Sequence, residues 1–211
     1  MKINWSYHIH TNYTHGQNSV DEIAASCKDL KIQEIAITEH VRSRPTYQFE
    51  KLQTDILNAA KKYNIKIFTG IEAKILPNGL LDAPTSLLSK TDLIIGSVHE
   101  WSDNIGMMDA YMLLVKSPAM VIGHPQIVNK EIIKLFIKYK KVMEISYKYP
   151  LSDSQLSLIQ QFPKLQLSLG TDAHKLADIK NARNYFNQIV DKYNFSKQLW
   201  KIEDKAIVNS S

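Results

Sequence analysis

Every histidine of this 211-residue chain lies in a short polar cluster that ends or directly follows an apolar, strand-like run. They are His8, His10, His15, His40, His99, His124 and His174. Two carboxylates, Glu72 and Asp172, also lie at the ends of such runs. Imidazole is the most common metal-ligating side chain in proteins, and a carboxylate can bridge two ions. These residues therefore predict one shared site that holds more than one metal ion.

Each cluster taken alone has an ordinary alternative. In His8-Ile9-His10 the two histidines have the i, i+2 spacing of one strand face, so both can reach one ion, but two surface histidines would look the same. Asp172 and His174 have the same spacing. A turn histidine such as His15 is usually solvated. The joint placement of all seven on predicted strand ends is what favours a shared site.

The chemistry of the donors limits the choice of metal. Cys27 is the only cysteine, so an internal disulfide and a thiolate site are both excluded. Imidazole and carboxylate ligands without sulfur suit zinc, iron or manganese. A single cysteine is typical of a reducing compartment. The N-terminus lacks the pattern of a signal peptide, and no apolar run reaches the roughly 18 residues that span a bilayer. We therefore expect a cytoplasmic location and no membrane partner.

Strand-like and helix-like patterns alternate along the chain. The expected strands are Ile3–His10, Glu34–Glu39, Lys66–Ala73, Asp92–His99, Met120–His124, Val142–Ser146 and Gln166–Asp172. The expected helices are Val20–Leu30, Gln48–Tyr63, Ala83–Ser89, Met107–Val115, Lys130–Tyr139, Ser154–Gln161, Ile179–Tyr193 and Ser196–Lys201. This alternation predicts an α/β fold with parallel strands, either a (β/α) barrel or an open doubly wound sheet. The ligand positions favour the barrel, because its strand ends converge on one mouth. We expect a single domain over residues 1–211.

The net charge of +5 is spread over scattered lysines and forms no basic stripe. A small phosphorylated substrate is therefore favoured over nucleic acid, which stays as an alternative partner. Trp101 and Tyr147 could line the substrate pocket, although aromatic side chains at a barrel rim more often pack. The candidate phosphate-binding residues are Arg42, Arg44, Lys148 and Lys175, which could equally be solvated loop charges.

Two buried-looking carboxylates have open roles. Glu39 precedes His40 directly and could cap a helix. Glu144 lies two residues before the end of its strand, where it could orient a ligand imidazole or serve in packing or capping.

Taken in order, the clusters resemble the PHP family (polymerase and histidinol phosphatase). The resemblance runs from residue 8 to residue 174 and implies a distorted (β/α)7 barrel with up to three divalent ions. The matching motifs are His8-Ile9-His10-Thr11, Thr38-Glu39-His40, Gly70-Ile71-Glu72, Gly96-Ser97-Val98-His99, Gly123-His124-Pro125 and Thr171-Asp172-Ala173-His174.

The resemblance also implies how the ligands divide among three ions. His8, His10, Glu72 and Asp172 would hold the first, and Glu72 would bridge to a second that His99 and His124 complete. The third would be held by His15, His40 and His174. Glu72, Asp172 and His174 would be the catalytic residues. Such a site implies hydrolysis of phosphate esters by a metal-activated hydroxide, between ions about 3.5–4 Å apart.

The substrate is the part of this interpretation that stays open. Histidinol-phosphate phosphatase-like members carry an arginine in the loop after the sixth strand, where this chain has Ser146-Tyr147-Lys148-Tyr149-Pro150. A phosphomonoester of a small metabolite is favoured, and histidinol phosphate itself is in doubt. The alternatives are a phosphodiesterase or nuclease, and a non-catalytic metal-stabilised binding module.

Overall fold

Seven parallel strands form a closed barrel in the computed structural model, which describes residues 2–99 and 106–202. Each strand pairs with its neighbours in sequence, and the first pairs with the last. This confirms the expected distorted (β/α)7 barrel. The strands are β1 (Trp5–Ile9), β2 (Glu34–His40), β3 (Lys66–Lys74), β4 (Leu93–Ser97), β5 (Val121–Ile122), β6 (Val142–Ser146) and β7 (Leu167–Ala173).

Seven helices connect the strands and follow the last one. They are α1 (Val20–Asp29), α2 (Phe49–Tyr63), α3 (Thr85–Leu88), α4 (Met107–Leu114), α5 (Lys130–Lys138), α6 (Asp153–Gln160) and α7 (Leu176–Lys192). Ser19 and Ser152 begin α1 and α6 with capping boxes, in which the serine hydroxyl and the residue at the third helical position satisfy each other's backbone N–H. In α5, Ile132, Ile133 and Phe136 are buried, so its apolar face covers the barrel.

The barrel is irregular at two places that matter for the site. β5 contains only two residues, so the ring is weakest between β4 and β6. At the opposite side, the register shifts between Ser6 and Ile9 where β1 meets β2, and between Tyr7 and Ile9 where β1 meets β7. Each shift inserts one extra residue, which bends the strand and redirects its side chains.

The end of the chain differs from the expected structure. The helix expected over Ser196–Lys201 is wrong: a short 3-10 helix covers Phe195–Lys197, and Leu199 then forms a parallel bridge with Leu167. Leu167 N–H donates to the carbonyl of Gln198, and Trp200 N–H donates to the carbonyl of Leu167. The backbone hydrogen bonds with Leu167 outweigh the weak helical pattern of Ser196–Lys201 here. Among the described residues, none of the helices is long and apolar enough to cross a membrane.

Candidate metal centre

The nine candidate ligands meet at the carboxyl end of the barrel. β1 supplies His8 and is followed by His10, and β2 ends at His40. Glu72 lies in β3 and Asp172 in β7. His99 and His124 lie two residues after the ends of β4 and β5, His174 directly follows β7, and His15 comes from the loop after β1. Convergence of side chains from separate strands is what the barrel geometry provides.

Glu72 is at the centre of this cluster and is buried. Its Oε1 atom lies 2.6 Å from Nε2 of His99 and 3.0 Å from Nε2 of His124. Its Oε2 atom lies 2.9 Å from Nδ1 of His40 and 3.3 Å from Nε2 of His8. The two oxygens of one carboxylate therefore face different groups of imidazoles, which is the arrangement of a bridging ligand.

A second group forms around Asp172 in β7. Oδ1 of Asp172 lies 3.3 Å from Nε2 of His10 and 3.9 Å from Nε2 of His8. The two imidazole rings are 5.1 Å apart, centroid to centroid. All three side chains are almost completely buried. Burying polar side chains such as these costs free energy unless each has a hydrogen-bond partner or a bound ion.

Several donor atoms in this group have no such partner. Nε2 of His8, both ring nitrogens of His10 and Oε2 of Glu72 are buried without a hydrogen bond, although some lie close to one another. Buried polar atoms that face one another and lack a hydrogen-bond partner are unfavourable in a folded protein. Divalent ions would satisfy them, and a set of nitrogen and oxygen donors suits zinc, iron or manganese. The residues present therefore fit a metal centre.

Four sets of three ligand atoms lie within 4.8 Å of one another among the described residues. They are His8 with His10 and Asp172, His8 with Glu72 and His124, His40 with Glu72 and His99, and His10 with His40 and His174. His15 belongs to none of these sets; it is exposed, and its ring centroid lies 5.1 Å from that of His40. The cluster has room for more than one ion.

Three of the candidate ligands have left-handed backbone conformations. The φ angles are 68° for His8, 26° for His124 and 47° for Asp172. Such angles are uncommon outside glycine and are often found at functional sites. His8 and Asp172 lie where the register of β1 shifts against β2 and against β7. The i, i+2 spacing of a strand indicated both residues as candidate ligands, but it does not reveal the bulges at which they lie.

Glu144 orients two of the ligands from β6, which supplies none of the nine. Its Oε1 atom lies 2.6 Å from Nδ1 of His8, and its Oε2 atom accepts the backbone N–H of His124 at 2.6 Å. A proton on Nδ1 of His8 leaves Nε2 free to bind a metal. Gly170 makes room for this carboxylate, because a Cβ at that position would overlap it. A charged residue inside the otherwise apolar strand Val-Met-Glu-Ile-Ser was the signal for this role.

Glu39 holds the loop that carries His15. The carboxylate is buried, and it accepts the backbone N–H of Thr11 at 2.7 Å and the hydroxyl of Thr14. Gly16 lets the loop pass close to the backbone of His10, because a Cβ there would overlap that carbonyl group. Glu39 therefore does not cap a helix. It stabilises the conformation of the loop that carries His15.

The electrostatics reflect the density of charge in a buried space. Burial acts to raise the pKa of Glu72, but the surrounding imidazoles, His8 foremost, outweigh it and hold the pKa well below its usual value. Burial lowers the pKa of His10 to about 3. For His8 the effect of burial is outweighed by Glu144 and Glu72, which raise its pKa. The cluster thus keeps ionised carboxylates beside a neutral His10, which is the form that binds metal, whereas binding of a metal at Nε2 of His8 would release a proton.

The predicted phosphate-binding residues are distributed unevenly. Lys148 lies at the cluster, with Nζ 3.4 Å from Oδ2 of Asp172 and 3.2 Å from Nδ1 of His174. Arg42 lies at the rim, 3.8 Å from Asp82, and lines a small cavity with His40. Arg44 is exposed and makes no ion pair with any described residue.

Lys175 lies apart from the ligand cluster. It is exposed and is the residue before α7, where its backbone N–H donates to Asp178. Tyr147 packs against Tyr185 of α7, with ring centroids 5.8 Å apart, so it is a packing residue. Trp101 lies outside the described residues.

A parallel seven-stranded barrel with imidazoles and carboxylates at its mouth defines a metal-dependent hydrolase. The family described as PHP domain matches residues 6–195, and the chain belongs to this family. A relative in Caldicellulosiruptor saccharolyticus, named as a probable phosphatase, is 25% identical over 96% of this chain and 92% of its own length. The DNA polymerase/3'-5' exonuclease PolX of Bacillus subtilis is 30% identical over 59% of this chain and 24% of its own length.

The solved structures agree on the fold. Histidinol phosphate phosphatase of Lactococcus lactis, solved with zinc, L-histidinol and phosphate, superposes with a TM-score of 0.65 at 16% identity. The match covers 90% of this chain and 93% of that one. The expected enzyme class, a metal-dependent phosphoesterase, is confirmed by the family match and the curated relatives.

Proposed function

We propose that this protein hydrolyses phosphate monoesters of a small metabolite with three divalent ions, which are zinc, iron or manganese. The observation that carries the proposal is the position of Glu72. One oxygen of this buried carboxylate faces His99 and His124, and the other faces His40 and His8. A carboxylate shared in this way lets neighbouring ions act on one phosphoryl group.

The proposed ligand sets follow the clusters. The first ion takes His8, His10, Glu72 and Asp172, and the second takes Glu72, His99 and His124. The third takes His15, His40 and His174. Support is strongest for the first two. Ligand atoms of His8, His10 and Asp172 lie within 4.8 Å of one another, and Oε1 of Glu72 lies 2.6 Å from Nε2 of His99 and 3.0 Å from Nε2 of His124. For the third, His10 is closer to His40 and His174 than the expected His15 is, so His15 would complete the set from the solvent side.

Bound divalent ions supply a water-derived nucleophile at neutral pH and positive charge for the phosphoryl oxygens. The catalytic residues of the proposal are Glu72, Asp172 and His174. Glu72 and Asp172 remain ionised, because the surrounding imidazoles outweigh the effect of burial and hold both pKa values low. Lys148 lies beside Asp172 and His174, where an ammonium group can bind the phosphate of the substrate.

The second phosphate-binding candidate is Arg42 at the rim of the site. Its guanidinium group can make paired hydrogen bonds to a phosphate. Arg44 and Lys175 lack a contact with the cluster, so their contribution would have to come from longer-range attraction of an anionic substrate.

Replacing Glu72 by Gln tests the bridge. Glutamine has nearly the same shape but lacks the negative charge, so metal content and phosphatase activity should fall together by tenfold or more. Metal content is measured by elemental analysis and activity with p-nitrophenyl phosphate. Glu131→Gln, an exposed change in the first turn of α5, is the matched control. Near-normal activity and metal content in Glu72→Gln would refute the bridge.

A phosphodiesterase is the second candidate, and the match to the Bacillus subtilis polymerase and exonuclease is the observation that favours it. Metal-loaded protein should be compared on p-nitrophenyl phosphate and bis-p-nitrophenyl phosphate. The proposal requires that p-nitrophenol is released faster from the monoester, p-nitrophenyl phosphate, than from the diester. Preference for the diester would support the second candidate, and hydrolysis of neither would support a metal-stabilised binding module.

A further inference from the structure

A cavity of about 450 Å³ opens directly beside the metal centre. His99 and His124 form the wall that it shares with the centre, and Val98 after β4, the loops after β5 and β6 and the first turn of α6 form the rest. Its other principal wall residues are Pro125, Gln126, Tyr149, Leu151 and Gln155. None of the described residues that line it is a lysine, arginine, aspartate or glutamate.

The opposite side of the mouth has a different character. There a smaller cavity of about 140 Å³ is lined by Arg42 and Lys74, together with His15, His40 and Glu72. Among the described residues, the metal centre thus has a cationic side and a side whose lining carries no fixed charge, and Nζ of Lys148 lies 5.7 Å from the ring centroid of Tyr149 in that lining. An ester whose phosphate binds at the centre can direct its anionic or solvated parts to the first side and its uncharged part to the second.

Tyr149 gives the uncharged cavity a planar wall. Its side chain is 54% exposed, and its ring lies 5.1 Å from the ring of His124, centroid to centroid. A large exposed aromatic side chain beside a site is a platform on which a second ring can stack. Leu151 and two prolines add apolar surface around it.

Two amide side chains give the cavity polar groups that are already held in place. Gln126 donates from Nε2 to the carbonyl of Val98 at 3.3 Å, which leaves its Oε1 atom without a partner among the described residues. Gln155 accepts the backbone N–H of Ser152 through Oε1 at 2.9 Å, which leaves Nε2 without a partner in the same part of the chain. One hydrogen-bond acceptor and one donor are thus available to a neutral ligand.

We propose that this cavity binds the leaving group of the substrate, and that the group is an uncharged, planar ring system. The proposal rests on the monoesterase function above and specifies its substrate class. An aryl alcohol and a nucleoside share this chemistry. An alcohol that carries an ammonium group would be buried against a wall whose described residues offer no carboxylate, which is unfavourable.

Four esters separate these classes: benzyl phosphate, butyl phosphate, O-phosphoethanolamine and adenosine 5'-monophosphate. In metal-loaded protein, kcat/KM should be higher for benzyl phosphate than for the butyl and ethanolamine esters. Tyr149→Ala should lower the ratio of benzyl to butyl kcat/KM about tenfold, the size of one ring-stacking contact, and Tyr149→Phe should retain it. Adenosine 5'-monophosphate tests whether the ring of the natural substrate belongs to a nucleoside. A kcat/KM well above that for benzyl phosphate would indicate that it does.

A second variant adds a charge to the cavity without disturbing the fold, and so tests how the charge of the cavity affects the choice of ester. Gln155→Glu keeps the capping box of α6, since glutamate serves at this position as well as glutamine does. The new carboxylate should raise the kcat/KM of O-phosphoethanolamine relative to butyl phosphate roughly threefold, as expected for a partly exposed ion pair.

Binding gives a readout that does not depend on turnover. Benzylphosphonate should bind the metal-loaded protein more tightly than butylphosphonate, and Tyr149→Ala should abolish the difference. If no ester is hydrolysed, the proposed function fails, while the phosphonates still test the cavity. If esters are hydrolysed but the benzyl preference is absent or survives Tyr149→Ala, the leaving-group proposal is overturned and the proposed function stands.

Discussion

Three buried carboxylates have different roles at the metal centre: Glu72, Glu144 and Glu39. Glu72 faces imidazoles through both of its oxygens. Glu144 fixes the ring of His8 and the backbone of His124 from behind, and Glu39 fixes the loop that carries His15. Only the first would touch an ion. The other two would act through the residues that they position.

Glu144→Gln tests such a positioning role. Glutamine can still contact His8, but it no longer stabilises a proton on Nδ1 as a carboxylate does. Metal affinity should fall about 10- to 100-fold, while the circular dichroism spectrum stays that of wild type. Competition with a coloured chelator measures the affinity. An affinity within twofold of wild type would show that Glu144 serves only in packing.

Glu39→Ala tests whether the loop from Thr11 to Gly16 brings His15 to the site. The change removes the acceptor for two groups of the loop, so the loop should no longer hold His15 beside His40. About one equivalent of metal should be lost, as in His15→Ala, because both changes affect the third set of ligands. Glu39→Gln keeps an acceptor and is the control. Three equivalents retained in Glu39→Ala would contradict this role.

At the scale of elements, the pairing of β1 with its two neighbours shapes the part of the site around His8 and Asp172. One bulge lies where β1 meets β2 and the other at the seam between β1 and β7, and His8 and Asp172 have left-handed conformations there. The hydroxyl groups of Ser6 and Thr171 hydrogen-bond across the same seam. The strands therefore determine more than the position of the ligands: their irregularities determine where the ligands point.

The sequence predicts the elements better than these irregularities. Apolar runs that end in His40, Glu72 or His124 identify strand ends, because only a strand buried on both faces is apolar throughout. The bulge at His8 depends on how β1 meets strands that are distant in sequence, and no local pattern encodes it. The expected last helix failed for a related reason, since Leu199 bridges to Leu167, more than thirty residues earlier.

Cys27 on α1 leads to a prediction about pH. Burial raises the pKa of its thiol to about 12, against about 8.5 in an unfolded chain. Between these values the folded state keeps a proton that the unfolded state loses, so the free energy of unfolding falls as pH rises, by about 1.4 kcal/mol per unit. Urea unfolding of wild type and Cys27→Ala at pH 8, 9 and 10 measures this fall in the free energy of unfolding.

The variant is the control for every other group that titrates in this range. Its stability is expected to decline less steeply above pH 9, so the stability difference between the two proteins should narrow. Parallel curves would show that the thiol ionises equally well in both states.

At the scale of the whole molecule, the mouth of the barrel is polarised. Arg42 and Lys74 lie on one side, and on the other side lies a wall in which the residues that the structure describes carry no fixed charge. The metal centre separates the two sides. An asymmetric substrate can therefore bind in one orientation, which is a condition for selecting one ester among many.

Metal should also stabilise the molecule as a whole. Ions bound at one site at a hundred times the dissociation constant add about 2.7 kcal/mol, which raises the Tm of a chain of this size by roughly 5–10 °C. Thermal unfolding with saturating manganese or zinc, and with a chelator, measures the shift. Glu72→Gln should respond much less. Equal Tm values with metal and with chelator would show that the cluster does not hold metal.

The pairing of β1 with β7 has a consequence for how the protein is made. His8 is among the first ligands to leave the ribosome, and Asp172 and His174 are the last. The first proposed ion needs ligands from both ends of that order, brought together by ring closure. A nascent chain without β7 therefore lacks a complete centre. Catalytic competence would arise late in synthesis, so partly made chains would not consume the phosphate esters of the cell.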